Sequence, residues 1–131
     1  MPRNAALWIL LANLAAAPAL AHHAVSLYDM KNPITVQGVV SRLEWTNPHA
    51  YFYLTVKNDR GQQEEWAVEL DSPSVLVHRG WSRDTLKPGD AITCHGGRSK
   101  TGARAMKSAT VELPGGQKLR CERNLGRTTA P

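Results

Sequence analysis

A chain of 131 residues with 42% hydrophobic composition has room for one domain with a modest core, not for two. Its net charge of +5 is spread along the chain with acids interleaved, from Lys57-Asn58-Asp59-Arg60 to Arg120-Cys121-Glu122-Arg123. That spread argues against a nucleic-acid binder, which gathers its cations on one face, and reads instead as a solvated basic surface.

Residues 1–21 read as a secretory signal. Arg3 supplies the positive start, Ala5 to Ala17 an apolar run broken only by Asn13, and Ala19-Leu20-Ala21 the small-x-small cleavage pattern. The run is shorter than the ~20 residues a membrane span needs, and no second span follows. The expected product is periplasmic or secreted, has no membrane span, and begins at His22. His22 to Pro33 has no clean period and is expected to be an extended arm ending at Asn32-Pro33.

The barrel domain is expected over 34–122, with a frayed tail at 123–131. From Ile34 the pattern alternates. Ile34, Val36, Gly38 and Val40 share one face, whereas Val39, Leu43 and Trp45 share the other, so the apolar phase changes near Gly38. A phase change at a strand glycine predicts a bulge or sharp bend there. Thr46-Asn47-Pro48 must turn, because proline has no N–H to give a ladder, and His49 follows at the lip of the sheet.

The second strand, Ala50 to Lys57, points Phe52, Leu54 and Val56 inward. The third, Glu64 to Leu70, does the same with Trp66, Val68 and Leu70. The Asn58-Asp59-Arg60-Gly61 turn joins them into a meander with the first strand. Ser72, Pro73 and Gly80 then carry the cap, first-turn and stop signals of a short helix, with His78 and Arg79 at its negative end. Trp81 is expected to seal that helix on the barrel.

Strand four is expected at Ala91 to His95, a glycine-rich loop at Gly96 to Gly102, strand five near Ala103 to Leu113, and a last strand at Gln117 to Glu122. The loop lacks P-loop spacing and enters a strand, so it is no phosphate cradle. The fold expected is mainly β: a small five- or six-stranded antiparallel OB-like barrel with one short helix between strands three and four. An open β-sandwich is the alternative.

An even pair of cysteines in an exported chain reads as a disulfide rather than a metal site. Cys94 and Cys121 both fall on the apolar phase of their strands, and a bridge over that loop would add roughly 3–4 kcal/mol on the chain-entropy model.

His22-His23, Tyr28-Asp29, Thr46-Asn47-Pro48-His49-Ala50, Trp66-x-Val68-Glu69, Gly80-Trp81 and Leu86-Lys87-Pro88-Gly89-Asp90 together resemble a family of small exported bacterial proteins catalogued only as a domain of unknown function. The resemblance runs over about residues 22–116. Its members usually read His-His-Ser and then Phe-Asp, where this chain has Ala24 and Tyr28. Cys94 and Cys121 stand outside the pattern. The resemblance implies export and a shared fold, and no established activity.

The residues themselves suggest a metal. An N-terminal histidine offers its α-amine and its ring as one chelate, and the amine titrates near pH 8, so copper displaces little proton affinity at neutral pH. His23 and His49 can add imidazoles, and nitrogen-rich tetragonal coordination suits copper or nickel. The functional expectation is therefore a non-catalytic exported binding protein holding a copper-like divalent metal through His22, His49 and His23. Adventitious binding by a flexible His-His terminus stands against it.

Two rivals follow. One is a metal-free module for a sugar, peptide or protein partner, using a ligand face of Trp45, Asn47, Tyr51 and Tyr53. The other is a copper-dependent oxidative enzyme. His78 and His95 read as structural or exposed side chains, and Glu65 and Glu69, sharing one strand face, as a solvated surface. No Gly-x-Ser-x-Gly or His-Glu-x-x-His motif occurs.

Overall fold

The computed structural model describes residues 27–122. The expected signal (1–21), His22, His23 and the tail (123–131) lie outside the described residues. Six strands and one helix follow in the order β1 Tyr28–Glu44, β2 Tyr51–Lys57, β3 Gln63–Glu69, α1 Pro73–Val77, β4 Ala91–Ser99, β5 Ala105–Glu112 and β6 Lys118–Arg120. The sheet order is β3-β2-β1-β4-β5-β6, and a parallel β3–β5 pairing closes five of these strands into a barrel.

β1 is long enough to serve two neighbours. Residues 28–39 pair with β4 and residues 39–44 with β2, both antiparallel. The expected phase change is present but lies at Ser41, not at Gly38. The β1–β2 register slips between Val40 and Arg42, so Val40 faces Leu54 and Leu43 faces Phe52. An extra residue in one strand turns two apolar side chains three apart to the same side. Gly38 has a different reason: an added Cβ would sit 2.8 Å from the Thr55 carbonyl oxygen, so the glycine permits β1 and β2 to close up.

Two other boundaries differ from the sequence pattern. β1 starts at Tyr28, inside the expected arm, and runs through Asn32-Pro33 with a register slip between Asp29 and Ile34. Asp29 fills that irregular stretch by accepting from the Lys31 and Asn32 N–H groups and from Asn32 Nδ2. β4 continues through Gly96-Gly97-Arg98-Ser99, which composition alone reads as loop.

The core is the alternating set the strands provide, with Phe52, Leu54, Val68, Leu70, Met106 and Val111 buried. Leu76 of α1 and Trp81 close one side, and Trp81 Nε1 donates to the Arg120 carbonyl at 2.8 Å. Ser72 is the N-cap residue, yet its side chain makes no cap bond; its hydroxyl meets Ser74 instead.

The expected Cys94–Cys121 disulfide is not formed: both are free, fully buried thiols. The register gives the reason. Cys94 faces Val111 on β5, and Val111 in turn faces Leu119 on β6, so a whole strand lies between the two cysteines. Two strand spacings, about 9–10 Å, exceed the ~7 Å Cα separation a bridge can span. Burial pushes both thiols up, that of Cys121 to about 12, so they stay protonated and inert at neutral pH. Ellman's reagent should therefore find no reactive thiol in the native protein and both after unfolding without reductant. A denatured protein lacking them would mean the bridge exists.

Candidate functional site

The site is built around Glu69, the last residue of β3. Strand alternation puts Val68 and Met106, which are register partners, into the core, and therefore turns Glu69 and its partner Lys107 to the other face. Tyr51, opposite Glu69 on β2, shares that face. A carboxylate and an ammonium side by side at the seam would normally be solvated. Here both are buried, with 7% and 10% of their side chains exposed.

What shields them comes from the two ends of β1 and the loop after it. Tyr28, at the start of β1, donates its hydroxyl to Glu69 Oε2 at 2.9 Å. His49 places Nδ1 2.9 Å from Glu69 Oε1, the oxygen that Lys107 Nζ approaches at 3.2 Å. Nδ1 is thus the ring nitrogen that faces the carboxylate, and Nε2 is the one turned from it.

His49 is held from both sides. Thr46 Oγ1 donates to the His49 carbonyl at 3.1 Å, and the Asn47–Pro48 peptide bond in this loop is cis. The next residue, Ala50, is fully buried and bridges to the two residues after β3: its N–H donates to the Asp71 carbonyl, and its carbonyl accepts from the Leu70 N–H. The imidazole is thus carried on a pinned backbone while its side chain remains 28% exposed.

Lys107 depends on a close approach of β4 to β5. The β4–β5 register slips between His95 and Gly96, and Gly96 faces Ser108. A Cβ on Gly96 would lie 2.0 Å from the Lys107 carbonyl oxygen, so only glycine lets the two backbones meet there. The electrostatics follow the burial. The Tyr28 phenol is raised well above the usual tyrosine range, first by desolvation and then by its hydrogen bond to Glu69; Tyr51 is raised by burial and the same carboxylate. Tyr28 is consequently a permanent donor at neutral pH.

Of the expected site residues, the structure brings His49 and Tyr51 to Glu69; His22 and His23 lie outside the described residues. Asn47 is exposed in the loop, and Trp45 is half-buried against the core. Tyr53 lies under Arg42, whose guanidinium carbon is 3.4 Å from the ring centroid, and donates to Glu44 at 3.4 Å. His78 Nδ1 meets the Ser74 carbonyl at 2.7 Å, and His95 Nδ1 meets Thr35 Oγ1 at 2.8 Å, so each has a structural role.

Glu69 corrects the expectation of a solvated acid. Glu65 keeps to that expectation, exposed and paired with Arg42 at 3.0 Å. Tyr28 and Lys107 were not legible as site residues at all. Among the described residues no group of three or more His, Cys, Asp and Glu side chains is arranged to hold a metal ion, and no helix is long and apolar enough to cross a membrane.

The family pattern described as "Family of unknown function (DUF6152)" matches residues 10–108. The chain belongs to this family. The match spans β1 through the first part of β5, and so includes Tyr28, His49, Glu69 and Lys107. No curated protein and no solved structure matches the chain. Membership in the DUF6152 family brings no activity with it.

Proposed function

We propose that this is an exported, OB-like barrel that binds a copper-like divalent metal at the rim around His49, with His22 and His23 supplying the remaining nitrogen donors. One observation carries the reading. Tyr28 and His49 occupy the two oxygens of one buried carboxylate, so the chain enters the barrel beside His49. His23 and His22 precede Tyr28 by five and six residues, at most about 20 Å of chain.

The carboxylate behind His49 supports the same reading. A metal-bound histidine commonly has its second ring nitrogen held by an acid, which fixes the tautomer and strengthens the donor. Position supports it too. In oligomer-binding barrels ligands meet the face of strands two and three and the loops after strands one and four. His49 is in the first of those loops, and Tyr51 and Glu69 lie on those strands. This last support is an analogy of fold.

Titrating Cu(II) into protein beginning at His22, and into the same protein with one added N-terminal residue, tests the chelate. The first should bind about tenfold tighter or better, a difference of ~1.4 kcal/mol or more, and His49→Ala should weaken it. Equal binding, or none, ends the metal reading and leaves the rim as a surface for a sugar, peptide or protein. Consumption of oxygen in the presence of a reductant would instead make the protein a copper enzyme.

A further inference from the structure

α1 follows the end of β3 and closes the barrel on that side. The opposite ends of the same strands, Lys57 of β2 and Gln63 of β3, border a cleft of about 1070 Å³. Its origin is the course of β1. β1 pairs with β2 only from Val39 onward, although at Gly38 an added Cβ would still meet Val56 Cγ2 at 3.0 Å. Residues 34–38 stay with β4 while β2 runs on into its hairpin with β3, so the wall opens between them.

The cleft is lined by the inward phase of the strands carried past the core. Val36, Trp66 and Ile92 form its buried floor, and Ile34 and Val56 continue the same alternation yet are only partly buried. The guanidinium carbon of Arg98 stands 5.3 Å from the Trp66 ring centroid, and Lys57 lies at the rim. No Asp or Glu lines the cleft. Among the described residues neither cation has a carboxylate at ion-pair distance, whereas Arg42, on the outer face, has Glu44 and Glu65. Asp29, the register partner of Arg98, is turned to Asn32 and the Lys31 N–H.

We infer that this barrel mouth is a binding site for an acyl anion, a single aliphatic chain ending in a carboxylate. The chain lies along Ile34 and Val56 over the buried floor. Its head meets Arg98, whose planar fork matches a carboxylate, and Lys57 adds attraction from the rim. Barrel mouths are a common place for small-molecule sites, and this cleft is at the upper end of their usual ~300–1,000 Å³. The ligand is aliphatic rather than planar for a specific reason. Trp66 is only 9% exposed and lies under Arg98, so it offers a sugar or base no open ring face. The mouth is also separate from the rim around His49: His49 precedes β2 and the mouth follows it, about 20 Å of strand away. The two sites therefore stand or fall independently.

The test titrates decanoate and, separately, its neutral analogue decanol into the protein, with binding followed by calorimetry and by the indole N–H resonances. Decanoate should bind about tenfold tighter or better than decanol, the difference a charged hydrogen bond makes. The Trp66 resonance should shift on binding, while that of Trp81, held on the Arg120 carbonyl, stays in place. Arg98→Gln should weaken decanoate by about the same factor and leave decanol unchanged, and Arg42→Gln should change neither. If Arg98→Gln does not fold, Lys57→Glu, at the exposed end of β2, is read in its place and should weaken decanoate in the same direction. Equal binding of decanoate and decanol, no binding of decanoate, or an affinity indifferent to the loss of the mouth cation overturns the proposal. A shift at Trp81 with none at Trp66 overturns it as well, by placing the ligand at the helix side.

Discussion

Glu69→Ala should lower the free energy of unfolding by about 3–5 kcal/mol, the range for breaking one side of a buried ion pair. The loss has three sources in the structure. Lys107 is left without its counter-charge in a pocket where only 10% of its side chain is exposed, Tyr28 loses the acceptor of its hydroxyl, and His49 loses the group beside Nδ1. The stranded ammonium dominates, because an unpaired buried charge costs far more than a missing neutral hydrogen bond. Denaturant unfolding measures the change. A double variant, Glu69→Leu with Lys107→Met, should recover much of it, since apolar groups of similar volume often replace a buried pair at little cost. A Glu69→Ala protein within about 1 kcal/mol of wild type would place the pair in the surface class, where such contacts contribute little.

Gly96→Ala should be more damaging, by more than about 4 kcal/mol, and is expected to yield little folded protein. The added methyl would sit 2.0 Å from the Lys107 carbonyl oxygen and 2.9 Å from Ser108 Cα, both main-chain atoms in a closed barrel. No rotamer change relieves such a contact; β4 and β5 must separate, and Lys107 moves with β5. Loss of a cooperative thermal transition, or of soluble protein, is the expected result. A midpoint within a few degrees of wild type would show that the two strands stand further apart at Gly96.

Much of the fold was legible because it is written in local periodicity. The alternation of Phe52 and Leu54, and of Trp66 and Val68, gives strands and their inner faces directly, and Pro48 forces the turn that presents His49. What was not legible depends on partners far along the chain. Glu69 reads as a solvated acid until β3 meets β5 and brings Lys107, thirty-eight residues on, against it. Tyr28 looked like part of an unpaired arm because Asn32-Pro33 reads as a stop, yet the strand passes through it with an irregular register. Gly96 and Gly97 carry the composition of a loop, but their missing side chains serve close packing inside β4. The cysteines share an apolar phase, and phase cannot reveal that β5 intervenes.

The parallel seam between β3 and β5 also constrains how the protein matures. The β1-β2-β3 meander can zip up from neighbouring segments, but the seam must wait for the chain to travel through α1 and β4, and such distant pairings form late and slowly. His49 and Glu69 belong to the early part, whereas Tyr28 is placed only when β4 pairs with the start of β1, and Lys107 arrives with the closing strand. Until that final step the folding chain would therefore carry Glu69 beside its histidine without the ammonium that compensates it in the closed barrel.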